Sequence, residues 1–266
     1  MRKITLITAS IGVLLLSCSN RHPQTISEVG LPLEETNGVE KLPLENSIDI
    51  SFMDFFELFM YEEEFQKSKI VFPFKKDNKI IQTAENWKHL PFYLNDMYMP
   101  ILSSDTLTLY HKDVSSSKIE LSIIDFKKKV VDKYNFEKIN NEWFLLSSEK
   151  SSINSVPDFE FIDFLTKFSD EPISHVNHIL FPLPVSILDI EGDFEIIEKT
   201  ILREEWEGLE WWTINQLRLM VLSNIDTKNK YRTIHFRGIE NGIAVLYTFE
   251  KINGNWKLIR LENYST

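Results

Sequence analysis

Phe52, Phe55, Phe56 and Phe59 recur at i, i+3, i+4 and i+7, with acidic residues between them. That spacing predicts an amphipathic helix with one aromatic stripe. Asp49 or Ser51 is placed to cap its start, and Asp158 is placed to cap a second helix with Phe161, Phe164 and Phe168 along it. Beyond each helix the period changes. Thr106–Tyr110, Ile119–Phe126, Val130–Phe136 and Trp143–Leu146 alternate as strands do, and so do Leu246–Ile252 and Trp256–Leu261. Asn253-Gly254 between the last two runs is a strong hairpin signal. Phe72-Pro73 and Phe181-Pro182 end any helix and suit edge strands. Helices followed by a mostly antiparallel sheet make an α+β chain.

The pattern occurs twice. Asp49, Phe52, Asp54, Phe55 and Phe59 recur, at a constant offset of 109, as Asp158, Phe161, Asp163, Phe164 and Phe168, and Ile70–Phe74 corresponds to Ile179–Leu183. Trp87–Tyr93 matches Trp206–Trp212. Tyr134–Leu145 matches Tyr247–Leu258, with eight of twelve positions identical. Three blocks in one order indicate two tandem units, residues 48–152 and 156–266, each of domain size. A long unit repeated only twice points to duplicated domains rather than a solenoid. Truncation near Asn154 is expected to leave at least one unit that folds alone, unless a large interface joins them.

The N-terminus carries an address. Met1-Arg-Lys precedes the apolar run Ile4–Leu16, which is shorter than the roughly 20 residues a spanning helix needs. This is a secretory signal peptide. Its end, Leu15-Leu-Ser-Cys18, resembles the lipobox of bacterial lipoproteins. The resemblance implies removal of residues 1–17 and lipidation of Cys18 with more than one acyl chain, which anchors stably. The other reading is an ordinary signal peptide with a stray cysteine. Ser19 and Asn20 follow without an acidic residue, which by the same resemblance implies the outer membrane, facing the periplasm. Residues 18–47 hold Pro23, Gly30, Pro32, Gly38 and Pro43 and no sustained period, and read as a flexible tether.

Charge and cysteine usage narrow the function classes. Losing Arg2 and Lys3 with the signal deepens the net charge from −11 to −13. That opposes nucleic-acid binding, which needs Lys and Arg on phosphates, and opposes a basic patch on anionic lipid. Cys18 is the only cysteine, so a lipidated chain has no free thiol and no disulfide.

Asp54–Phe56, the run Phe65-Gln66 to Phe72-Pro73, and the Trp87, Leu90, Phe92, Tyr93 block are similar to those of a bacterial lipoprotein family known as domain of unknown function 4348. The resemblance implies a nuclear-transport-factor-2-like, or cystatin-like, cone: a curved antiparallel sheet wrapped on a long first helix. Two such units in tandem are therefore expected. The resemblance implies a fold and no activity, and fold does not imply function.

Each candidate for chemistry has a bland counterpart. Asp54 and Asp163 are the repeated acids most like a general base, but a helical wheel puts Asp54 about 200° from Phe52, away from the core. His175 and His178, at i, i+3, have the spacing of a metal pair, but their matching positions are Gln66 and Lys69. Trp206, Trp211 and Trp212 among Glu204, Glu205, Glu207 and Glu210 suit an aromatic platform, yet Trp87, Phe92 and Tyr93 match them, as packing residues would. Tyr134, Tyr247, Trp143 and Trp256 suit a cavity lining or a filled core. Asp105-Thr-Leu107 resembles a short O-glycosylation acceptor. There is no Gly-x-Ser-x-Gly elbow and no P-loop. No catalytic residue, metal ligand or cofactor is assigned, and the one assigned site is lipidation at Cys18. The expected function is a lipid-anchored envelope protein acting as a non-catalytic binding or scaffolding module. Its partners are the membrane, through the lipid, and an envelope protein, a glycan or a small apolar ligand. The alternative is a small-ligand-binding protein or enzyme using a cone cavity. A deep pocket with a buried carboxylate beside Tyr or His would favour the alternative, and a filled cone with an exposed apolar patch the former.

Overall fold

The computed structural model describes residues 51–92, 98–104, 116–170, 175–206, 218–239 and 241–266. The signal, Cys18, the tether, Asp49, Tyr93, the 105–110 segment, Trp211 and Trp212 lie outside the described residues.

Helix α1 (Phe52–Tyr61) begins at Ser51, whose hydroxyl accepts the backbone N–H of Asp54 at 3.2 Å. Its buried residues are Phe52, Phe55, Phe56, Phe59 and Met60, the stripe that the spacing predicts. The short helix α2 (Glu63–Ser68) follows, then strands β1 (Ile70–Lys76), β2 (Lys79–Ile81), β3 (Tyr98–Ser103), β4 (Lys118–Asp125), β5 (Val130–Ile139) and β6 (Glu142–Ser152). Helix α3 (Phe159–Asp170) opens the second half, followed by β7 (Leu183–Leu188), β8 (Ile196–Ile201), β9 (Arg218–Leu222), β10 (Tyr231–Gly238), β11 (Ala244–Ile252) and β12 (Asn255–Asn263). The β11–β12 turn is Asn253-Gly254, with φ of 48° and 80°. The β5–β6 turn is Asn140-Asn141, with φ of 52° and 65°. Both central residues of a type I′ turn need positive φ, which Asn and Gly tolerate.

All twelve strands of the described residues form one sheet, in the order β2-β1-β6-β5-β4-β9-β3-β10-β11-β12-β7-β8. The fold is α+β with a large mixed sheet. In the first half β1 pairs antiparallel with β2 and parallel with β6, and β6, β5 and β4 form a meander. In the second half β7 pairs the same way with β8 and β12, and β12, β11 and β10 form a meander. The middle of the sheet crosses the halves. β9 pairs antiparallel with β4, placing Leu222 opposite Leu121, and β3 pairs antiparallel with β10, placing Leu102 opposite Ile234. β3 and β9 run parallel, with Ile101 beside Met220.

This crossing distributes side chains to both faces. Ile123 and Met220 pack with α1, whereas Ile124, Leu219 and Val221 pack with α3. Neighbouring residues of a strand point to opposite faces, so α1 and α3 cover opposite faces of the central strands. Strands buried on both sides read as continuous apolar runs, as Met99–Leu102 and Leu219–Leu222 do.

One expectation needs correction. Phe72-Pro73 does not sit on an edge strand: β1 lies between β2 and β6. Its pairing with β6 shifts register between Ile70 and Lys75, and Pro73 sits in that shift, where no ladder N–H is required. The Phe72-Pro73 and Phe181-Pro182 peptide bonds are both cis.

Candidate functional site

The repeated aspartates do not converge on a site. Asp54 is exposed on the outer face of α1, and Asp163 is held by Lys167, one turn on, at 2.5 Å. His175 and His178 lie on a single 3-10 turn, and their rings pack on aromatics. His175 stacks on Phe168 at 4.8 Å, and His178 meets Phe164 edge-on at 5.4 Å. Among the described residues no group of three or more His, Cys, Asp or Glu is placed to hold a metal ion.

The candidate cavity aromatics fill the two cores. Trp143 meets Phe52 of α1 edge-on at 5.1 Å, and Trp256 meets Phe161 of α3 at 4.8 Å. Tyr134 packs on Phe92 at 4.8 Å, where burial pushes its phenol pKa well up. Tyr247 packs on Phe236 at 5.5 Å. Trp87 is buried against Phe74, and its indole N–H donates to Gln66 Oε1 at 2.8 Å. Gln66 is fully buried and also accepts from the N–H of Leu90, while its amide donates to the carbonyls of Phe59 and Leu90. Trp206 packs on Phe181 at 6.2 Å, but its Nε1 has no hydrogen-bond partner among the described residues. His175 holds the position matching Gln66.

The most deeply buried charge is likewise structural. Asp158 precedes α3 and its carbonyl accepts the N–H of Ile162, while its carboxylate is ion-paired with Arg232 Nε. Arg232 also donates to the carbonyls of Asn229 and Tyr231 and lies over Trp256 at 5.3 Å. Arg232 Nε and Nη1 and an oxygen of Asp158 thus have partners, as a buried pair needs to be tolerated.

An open cleft of about 310 Å³ lies where the C-terminal half of α1 meets β3 and the end of β10. Glu57, Met60 and Tyr61 line it from the helix, with Met99 of β3 and Arg237, Gly238 and Ile239 from β10 and its exit. Arg237 Nη2 donates to Glu57 Oε1 at 2.8 Å, with both side chains partly exposed. Gly238 is needed there, because a Cβ would lie 2.1 Å from Asn241 Oδ1 and 2.5 Å from Ile243 N. Two residues back on the same face of β10, His235 is buried. Burial, with the Arg237 charge adding to it, depresses its pKa to about 4, so the ring is neutral at neutral pH. An acid and a guanidinium over a Met floor can orient a polar or zwitterionic group.

Glu57, Arg237 and His235 were not singled out by sequence reasoning. A signal existed in the mismatch between the halves. At the 113-residue offset of Tyr134 and Tyr247, Arg237 stands where the first half has Ile124, Ile239 where it has Phe126, and His235 where it has Ser122. Ile124 and Phe126 are buried in the core against α3, whereas Arg237 and Ile239 line the cleft.

Known proteins place this architecture. No curated protein matches the chain. Among solved structures, a protein titled NTF2-like from Bacteroides fragilis NCTC 9343 superposes with a TM-score of 0.63 at 24% identity, covering 84% of this chain and 100% of that one. At that identity the likeness establishes the fold alone, and the fold is NTF2-like. The sequence from residue 34 to residue 263 matches the domain of unknown function DUF4348, and the chain belongs to that family.

Proposed function

We propose that this protein is a non-catalytic binding module of the cell envelope. In this reading residues 1–17 are removed, lipid on Cys18 holds the chain to the outer membrane facing the periplasm, and residues 18–47 tether the body. The body is two copies of one helix-plus-sheet unit, 48–152 and 156–266, which exchange their β3 and β9 strands. The partner is an envelope protein, a glycan or a small apolar ligand, and the acidic charge disfavours nucleic acid.

The observation that carries the reading is the packing of the two cores. The space under each helix, where a cone would hold a substrate, is occupied by interlocked rings: Phe52, Phe136 and Trp143 under α1, and Phe161, Phe249 and Trp256 under α3. Recognition then falls to the surface, where Ile190, Phe194, Ile196 and Ile197 are each exposed along the β7–β8 hairpin. The second reading, a small-ligand-binding protein, is favoured by the Glu57–Arg237 cleft, which lies at the helix–strand seam and not inside a cone.

Two measurements test this. Cys18→Ser is expected to move the protein from the membrane fraction to the soluble periplasmic fraction and to abolish lipid labelling. An unlipidated, soluble wild type would refute the anchor. A photoreactive residue at Phe194, and another at Tyr61 beside the cleft, distinguishes the readings in intact envelopes. A discrete adduct at Phe194 with a component other than a second copy of the chain supports the surface module. An adduct only at Tyr61, lost in Arg237→Glu, supports the ligand cleft.

A further inference from the structure

We propose that the open β8 edge is the contact between two copies of this chain, joined antiparallel about a two-fold axis at Ile197. Among the described residues the sheet ends in β2 on one side and β8 on the other. β2 is three residues long and begins at Lys79, with Lys75 and Lys76 on the strand beside it. Shortness and lysines are the usual protection of a free edge. β8 is twice as long and carries a single lysine, Lys199, beside Glu198. It is six residues long, five of them exposed, and Ile196 and Ile197 are 54% and 48% exposed, with Phe194 just before them at 65%. An unpaired edge with an exposed apolar end is a template for another strand.

The backbone restricts the register. Asp189 N–H bonds the Glu195 carbonyl at 2.9 Å, and β7 pairs with β8 in step with that bond. The odd-numbered residues of β8 therefore turn their backbone groups to β7, and Ile196, Glu198 and Thr200 turn theirs to the open edge. A second copy must match even to even, so the axis passes through a residue. Centring on Glu198 or Lys199 sets like charges face to face, which is destabilising. Centring on Ile196 leaves that residue alone of β8 in register, and centring on Thr200 leaves Ile196 and Ile197 uncovered. Centring on Ile197 places Ile197 against its copy and sets Glu195 opposite Lys199 of the other copy, twice. Among the described residues neither Glu195 nor Lys199 has an ion pair within its own chain. Of the registers that cover both isoleucines, this one, with Ile196 opposite Glu198 of the other copy, is the one that sets no like charges face to face, as an isologous interface requires.

The test uses the full chain in its own envelope. Ile197→Cys puts a thiol on the axis, facing its copy in a non-hydrogen-bonded pair, a separation that a disulfide spans. Mild oxidation is expected to give a species of twice the mass, absent from the wild type and from Ile80→Cys on the opposite edge. Adding Glu195→Lys sets lysines against lysines and lowers the crosslinked fraction several-fold. Adding Lys199→Glu to that reverses both charges and restores it. Sedimentation of the unsubstituted chain in mild detergent, which needs no variant to fold, is expected to give a dimer. The proposal is overturned by a monomer in sedimentation, by equal crosslinking at Ile80→Cys, by failure of the charge reversal to restore the product, or by a crosslink from Ile197→Cys to a different protein.

Discussion

At the residue scale the halves differ where buried polar groups decide local packing. Gln66 satisfies four partners from one buried amide: Trp87 Nε1, Leu90 N–H and the carbonyls of Phe59 and Leu90. A buried donor or acceptor left unpaired costs roughly 1–3 kcal/mol. Gln66→Leu is therefore expected to lower stability by on the order of 3 kcal/mol, read as a drop in the denaturant midpoint with an unchanged slope. His235 gives a pH signature. Its folded pKa of about 4 lies below the ordinary histidine value of 6.5, so between those values the unfolded chain binds more protons. Its contribution is present above pH 6.5 and is lost as pH falls towards 4, amounting to no more than about 3 kcal/mol. His235→Gln is expected to flatten the thermal-melting profile across that window. Parallel wild-type and variant profiles would show that the ring does not titrate there. Neither role was legible in the sequence. Gln66 stood in a recognised motif without a partner, and His235 was one scattered histidine, because burial and contact are tertiary quantities.

At the element scale the crossing of β3 and β9 in the middle of the sheet dominates. The residues 48–152 segment contributes β3 to a pairing with β10, and its own β4 is completed by β9. Met220 of β9 lies in the core of α1, and Leu102 of β3 lies in the core of α3. Truncation after Asn154 would leave β4 with an apolar open edge and remove a piece of the α1 core. A fragment of residues 48–154 is expected to be aggregated or unfolded, with no cooperative melt. A soluble, cooperatively melting fragment would show that β9 is dispensable. This narrows the sequence-based expectation of an independently folding unit to the exception it named, a large shared interface. The helix stripes and the Asn253-Gly254 hairpin were legible because period and turn chemistry are local. β3 and β9 were not, because a strand buried on both faces carries no period of two.

At the scale of the whole molecule, residues 46–266 form one compact unit joined by a single sheet. Two independent domains would melt separately. Two that share crossing strands lose both cores together. A single calorimetric transition is expected, with calorimetric and van't Hoff enthalpies equal. Two resolved transitions would mean that the crossing strands do not couple the halves.

The sequence by itself determined the helix stripes, the tight turns, the α+β class, and the family resemblance that the DUF4348 match supports. These depend on spacing within a few residues, or on motifs carried intact. The tertiary structure alone decided that β3 and β9 change partners and that Pro73 sits in a register shift. It alone decided that the aromatic residues fill the two cores, and that Glu57 meets Arg237 across 180 positions of chain. Each is a pairing between segments far apart in sequence, selected by which apolar faces can be buried together, and no local pattern encodes that choice.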